Sequence, residues 1–369
     1  MGYQERVPFS VVDPAGLEVE MSKRMGLVLA VLCAIAMPGV VSTVAAQARA
    51  SDADWEVPRT PDGRPDLQGN WTNQSLTPLQ RGRNQEGAVY TPEEVARIEQ
   101  GSVDRFVRGE QPSDPNRPAP EAGRDVGAYN NVYFEFGHQV AVVNGEPRTS
   151  LVTFPSNGRI PAFTAEGERR IEESRNFKRQ FEEFDHPELR PIAERCLVSY
   201  GSPAGPPMLP TTGYNSNYTI VQTPNHVLIM TEMVHDARII RIGDGPRLPE
   251  HIRPWFGDSW GRWEGDVLVV ETTNINPKQT IRGVPPSEQM RVTERFTRVD
   301  EETILYEFTV NDPTTFTAAW GGEIPIKKFD AKLFEYACHE GNYSLAGVLS
   351  GARYEEKMEA QETSDSRRD

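Results

Sequence analysis

Between positions 290 and 310 the chain reads as two strands folded back on each other, and this hairpin restricts the fold more than any other feature. Val292, Phe296, Ile304, Tyr306, Phe308 and Val310 recur at two-residue spacing, which sets them on one face of a pleated pair. Arg291, Thr293, Arg295, Glu307 and Thr309 take the other face. The reversal lies over Asp300-Glu301-Glu302. It sets Arg295 opposite Glu307, an exposed cross-strand pair worth a few tenths of a kcal/mol. An apolar face of this kind has to be covered by more strands.

Runs rich in β-branched and apolar residues at 218–222, 226–233, 238–242, 266–273 and 332–339 supply them. Upstream, 132–136, 139–143 and 149–154 also read as strands, with turn signals at Asn144-Gly145 and Asn157-Gly158. Two helices are expected between these groups. One starts after Thr91, with Pro92 in the first helical position and Glu94 completing a capping box. The other covers 164–184 and offers Ile171, Phe177, Phe181 and Phe184 for burial. Residues 109–124 carry proline, acid and arginine without an apolar period and read as a surface loop. No repeat of fixed period is present, which disfavours a propeller or solenoid.

The expected fold is therefore mainly β: a lipocalin-like or calycin β-barrel with a helical N-terminal insertion over about 91–195, the alternative being a two-sheet β-sandwich. The 369 residues leave ample chain for a core. Residues 49–369 are expected to form a single β-rich domain.

Residues 1–48 read as an upstream extension followed by a signal peptide. Ser22-Lys23-Arg24 is a basic start, 26–36 is apolar but short for a bilayer span, and Pro38-Gly39 breaks it. Ala46-Gln47-Ala48 follows as a cleavage site, and Met21 is the alternative start. The sequence before Cys33 makes a poor lipoprotein box. The chain is expected to be periplasmic or secreted, with no transmembrane segment after cleavage. Cys196 and Cys338 then remain, and in an oxidising compartment they read as one disulfide closing a loop of roughly 140 residues. Two buried thiols are the alternative.

A formal net charge of −15, from 39 basic and 54 acidic residues, argues against a nucleic-acid partner, because phosphate affinity rests on clustered Lys and Arg. A small molecule is the expected partner, and the oligomeric state is left open.

The segments PRTPDGRPDLQGNW at 58–71, RTSLVTFPSNGRIP at 148–161, ERCL at 194–197, IVQTP at 220–224, GRWEGD at 261–266 and YACHEGNY at 336–343 resemble a family of exported bacterial proteins. The resemblance spans nearly the whole mature chain and implies one co-folding unit. It implies no activity. Separately, Gly69-Asn70-Trp71 is similar to the G-x-W that opens the first strand of lipocalins, and barrels of that kind enclose one small apolar ligand.

The common catalytic signatures are missing. His339-Glu340 is followed by Tyr343 where a zincin needs histidine. Neither Ser202 nor Ser350 stands in G-x-S-x-G. There is no nucleotide-cofactor motif, and two cysteines do not make a closed zinc site. A divalent metal is allowed, with unknown ligands.

The remaining candidates are polar residues in apolar surroundings. His235-Asp236 ends an apolar strand and suits a general base with its orienter, or a metal ligand; the plain alternative is a loop histidine beside a turn aspartate. His339 and Glu340 end another strand beside Cys338, where a bridge would hold them rigidly. Glu294 falls on the apolar face between Val292 and Phe296 and needs a partner or a raised pKa. Arg298 shares that face as the partner at hand. Arg262 and Trp263 suit stacking on a ring or cation, or a packed turn closed by Glu264-Gly265-Asp266. Tyr214 and Asn215 suit a pocket rim.

Two functions follow as expectations. The first is a periplasmic enzyme, a lyase, isomerase or hydrolase, doing acid/base chemistry on a small organic molecule with His235, Asp236, His339 and Glu340 in a barrel pocket. Tyr214, Asn215, Arg262, Trp263 and Glu294 would bind that molecule. The second is a non-catalytic binding protein for a small apolar or aromatic ligand.

Overall fold

In chain order the strands are β1 (Gly69–Thr72), β2 (Val142–Val143), β3 (Glu146–Pro147), β4 (Val152–Phe154), β5 (Asn217–Gln222), β6 (His226–Thr231), β7 (Ala237–Ile242), β8 (Asp258–Glu264), β9 (Val267–Thr273), β10 (Arg291–Asp300), β11 (Thr303–Asn311) and β12 (Trp320–Lys328). Helices α1 (Pro92–Gly109), α2 (Ala165–Lys178) and α3 (Ser344–Asp365) accompany them. This computed structural model describes residues 55–111, 116, 118, 137–199, 204–210, 213, 216–281 and 283–366. The chain divides into Met1–Ala45 and Ala46–Asp369. The first unit, with the signal-type segment, lies outside the described residues.

The hairpin forms in the expected register, with Arg295 opposite Glu307 and Phe296 opposite Tyr306. Strands β1 and β5 to β12 pair in sequence, and β12 returns to β1 through Trp71 opposite Lys328. The result is a closed nine-stranded β-barrel, which removes the sheet edges that a sandwich would leave. Neighbours are antiparallel except β7 and β8, which run parallel after the 243–257 crossover. Strand β4 lies along β12 at Gly321 and Gly322.

Alternation decides what fills the barrel. Trp71, Tyr218, Ile220, Val227, Ile229, Ile240, Leu268, Val270, Val292, Phe296, Ile304, Tyr306, Phe308, Trp320 and Ile324 are all buried in one cluster. Each fully buried large side chain contributes about 1.5–3 kcal/mol. Aromatic pairs run through it, Phe296 with Tyr306 at 5.0 Å and Phe308 with Trp320 at 5.7 Å. The described interior is thus filled by its own side chains, as small barrels commonly are.

Two irregular segments cover the ends of the barrel. At one end 58–67 folds over the opening: Leu67 is buried, Leu67 N–H donates to Gln222 Oε1, and Arg59 pairs with Asp266 at 2.9 Å. Gly265 supplies the left-handed turn between β8 and β9, with φ 59°. At the other end 204–209 enters the barrel, Met208 being fully buried with its N–H donating to Tyr306 Oη at 2.8 Å.

Several expectations are corrected. Residues 332–339 form no strand; β12, just ahead of them, already closes the barrel between β11 and β1. That strand is hard to read, since Gly321, Gly322 and Pro325 resemble turn residues. The structure explains them: a Cβ on Gly321 or Gly322 would meet Phe308 O at 2.1 Å or Leu151 O at 2.0 Å. Pro325 lies two residues beyond Glu323, whose N–H reaches Leu151 O. It therefore faces the seam after β4 has ended and before β1 begins, where its missing N–H costs nothing. Helix α1 has the expected capping box, Thr91 Oγ1 accepting from Glu94 N–H at 3.2 Å and Glu94 Oε2 from Thr91 N–H at 2.8 Å. Helix α2 stops at Lys178, and Phe177 and Phe181 pack on each other at 5.4 Å while staying exposed. The 132–136 strand lies outside the described residues, and α3 was not foreseen. Among the described residues no helix is long and apolar enough to cross a membrane.

Candidate functional site

The end of the barrel that receives 204–209 also carries the ends of β6, β9 and β11 and the starts of β7, β8, β10 and β12. Most chemistry-bearing residues gather there. His235 and Asp236 sit in the tight reversal between β6 and β7, where Val234 and His235 adopt φ of 58° and 44°. Asp236 is buried and its Oδ2 accepts from Ser199 N–H at 2.9 Å. Burial raises its pKa, and the hydrogen bonds from Ser199 and the nearby His235 only partly offset this. His235 is exposed, and its Nδ1 lies 3.1 Å from Tyr336 O. A carbonyl oxygen only accepts, so Nδ1 carries the proton and Nε2 is left as a base in the neutral ring.

The Cys196–Cys338 disulfide forms and holds the strap after β12 against this reversal. Asn342 Nδ2 adds a bond to Glu194 O at 2.9 Å. The strap thus brings His235 to Tyr336, close in sequence to His339 and Glu340. Both of these are exposed and make no side-chain hydrogen bond among the described residues.

Glu294 is fully buried, as the alternation demands, but its partner is Arg238 and not Arg298. Arg238 Nη1 donates to Glu294 Oε1 at 2.9 Å and Nη2 donates to Oε2, while Tyr306 O–H donates to Oε1 at 2.9 Å. Ser259 and Thr272 hydroxyls and the Ala204 carbonyl receive the remaining Arg238 donors. Burial opposes the Arg238 charge, yet the Glu294 carboxylate raises its pKa overall. Burial also drives the Tyr306 pKa far up, so the phenol stays protonated. Arg298 instead caps the opposite end, donating to Asp66 O at 2.8 Å and stacking over Trp71 at 5.0 Å. Glu294 is therefore tied into a satisfied internal network and does not face a ligand space.

Arg262 lies exposed and pairs with Glu264 at 2.7 Å, and Trp263 packs half-buried against the core. These two close a hairpin, as the plain reading had it. The stacking pair in this region is Arg241 over Trp260 at 4.2 Å, with Arg241 also bound to buried Asp258. Tyr214 and Asn215 lie outside the described residues. Among the described residues no group of three or more His, Cys, Asp or Glu side chains is arranged to hold a metal ion.

Comparison with known proteins finds no matching family model, curated protein or solved structure. The reading of this end rests on its own chemistry.

Beside the plug a groove of about 290 Å³ opens, walled by Ile160, Phe163, Ile281, Val284, Phe316 and Trp320. Phe163 and Phe316 pack 5.6 Å apart along one wall. Trp320 is fully buried beneath it, and its Nε1–H meets no hydrogen-bond acceptor among the described residues. The 281–284 turn and the β11–β12 connection form this wall, and neither carried a sequence signal beyond scattered apolar residues. A second groove of about 200 Å³ lies on the outer face between β10, β11 and β12 and is lined by Arg295, Glu307 and Glu323. Its charges are matched and it is poorly shaped for an apolar ligand.

Proposed function

We propose that this chain is a binding protein for a small apolar or aromatic molecule, seated in the groove at the plugged end of the barrel and not inside it. The groove carries the reading: it is concave, its walls are apolar apart from Gln80, and the buried Trp320 indole lies beneath it. Apolar walls with a few fixed polar atoms are the usual make-up of a small-molecule site. Export to the periplasm or beyond belongs to the same reading, supported by the disulfide and the signal-type N-terminus.

Phenylbutanol is a suitable probe, with an aromatic body and one polar end. At about 0.3 kcal/mol or more per heavy atom it is expected to bind with a Kd of about 4 mM or tighter. Val284→Glu sets a charge in a half-exposed wall and is expected to weaken binding at least tenfold while leaving the melting temperature within a few degrees. Calorimetric titration measures both proteins. Equal affinities for the two would remove the groove from consideration.

Acid/base catalysis stands second, favoured by one observation: the Tyr336 carbonyl fixes the His235 tautomer and leaves Nε2 as a base. It ranks lower because neither His339 nor Glu340 bonds to His235, and Asp236 orients the Ser199 backbone and not the imidazole.

A further inference from the structure

The groove holds one amide side chain in its wall, and the fold fixes which way that amide faces. Gln80 borders the groove beside Ile160 and Pro161. Its Oε1 accepts from the Ile160 N–H at 2.9 Å. A peptide N–H only donates, so the oxygen must be the atom turned to the backbone, and Nε2 with its two hydrogens becomes the outward end of the exposed side chain. The segment that carries Gln80 is pinned on both sides: Val152 N–H donates to Leu79 O and Arg81 N–H donates to Gly158 O, each at 2.9 Å. The donor is therefore held in place before any ligand arrives.

The other walls set the remaining terms. The rest of the lining is aliphatic and aromatic, and none of it carries a charge. The 281–284 turn uses its polar groups on itself: Ile281 N–H reaches Val284 O and Val284 N–H reaches Ile281 O, both at 3.0 Å. Likewise Thr317 N–H takes Ala162 O at 2.9 Å and Thr164 N–H takes Thr315 O at 3.0 Å, which ties the backbone flanking Phe163 and Phe316. An ionised ligand group would leave water for these surfaces with no opposite charge to meet it. A group that only donates would face a donor. A neutral acceptor is the match.

We infer that the ligand of this groove is an uncharged carbonyl compound: its apolar or aromatic body lies along Phe163, Val284 and Phe316, and its carbonyl oxygen accepts from Gln80 Nε2–H. This rests on the groove being the binding site and adds the polar group that the ligand carries. A carbonyl brings acceptor capacity alone, whereas a hydroxyl also brings a proton that needs a second partner. Gln80 is thereby the residue that sets specificity, favouring acceptors and opposing donors at one point of an otherwise apolar surface.

The test titrates the ¹⁵N-labelled full chain with phenylbutanone and follows two signals, the Gln80 side-chain NH2 and the Trp320 indole N–H. Both are expected to shift together along one binding curve. In Gln80→Glu the carboxylate still accepts from the Ile160 N–H, but it presents an acceptor where the donor stood. Phenylbutanone affinity is expected to fall about fivefold or more in that variant, while phenylbutanol, whose hydroxyl can donate to the carboxylate, stays within about twofold. A shift at Trp320 with the Gln80 amide unmoved overturns the carbonyl assignment and leaves the groove intact. Equal losses for both probes in Gln80→Glu overturn it too, since they would report the added charge alone. If neither signal moves, the groove reading fails with it. The titration of the unmodified protein does not depend on any variant folding.

Discussion

Glu294→Leu is expected to cost about 3–5 kcal/mol of stability, because it strands the Arg238 charge in a site where that side chain is 1% exposed. Tyr306 loses an acceptor in the same step. Arg238→Met alone is expected to be similarly costly, leaving the carboxylate without its counter-ion. The double replacement is expected to recover at least half of the summed loss, since an apolar pair of similar volume carries no desolvation cost. Urea midpoints of the four proteins complete the cycle. Single losses that simply add would show that the two side chains do not depend on each other. A stable, unshifted Glu294→Leu would mean the carboxylate is not buried against Arg238 at all. Because the network fills the barrel interior, this cycle also asks whether the interior is a core or a binding space.

Removing the disulfide with Cys196→Ser and Cys338→Ser together is expected to lower stability by about 2–5 kcal/mol, most of it through the freed unfolded chain, as the bridge closes 142 residues. The strap from 329 to 343 is expected to loosen first, since its other ties include only scattered hydrogen bonds: two at Asn70 and one each at Glu232, His235 and Glu194. Hydrogen exchange across 332–343 should rise more than exchange in β10 and β11. An unchanged urea midpoint would contradict the assignment of this bridge as a main tie of the fold.

How far the sequence disclosed this molecule varied with how local the deciding interaction is. The β10–β11 register needed only two-residue alternation and a turn, so Arg295 and Glu307 could be paired by counting. The Cys196–Cys338 pair needed only a count and a compartment. Glu294 could be recognised as a buried carboxylate from its phase, but its partner is 56 residues away. The clue was that Arg238 stands in phase with Ile240 and Ile242, on the face that points inward. Strand β12 was hidden because its glycines are required by backbone atoms of β11 and of the chain before β4, which no local pattern shows. The lipocalin-like expectation held for the barrel, while the enclosed ligand space it implied is taken by Phe296, Tyr306 and their neighbours.

The central claim is that the ligand binds outside the filled barrel, over Trp320. Indole N–H resonances of the ¹⁵N-labelled protein, followed during titration with phenylbutanol, test it directly. Trp320 is expected to shift progressively, because the ligand's ring settles over its indole. Trp71, whose Nε1–H is already bonded to Leu67 O at 3.0 Å inside the opposite end, is expected to stay in place. A shift at Trp71 with Trp320 unmoved would put the ligand inside the barrel and contradict the account.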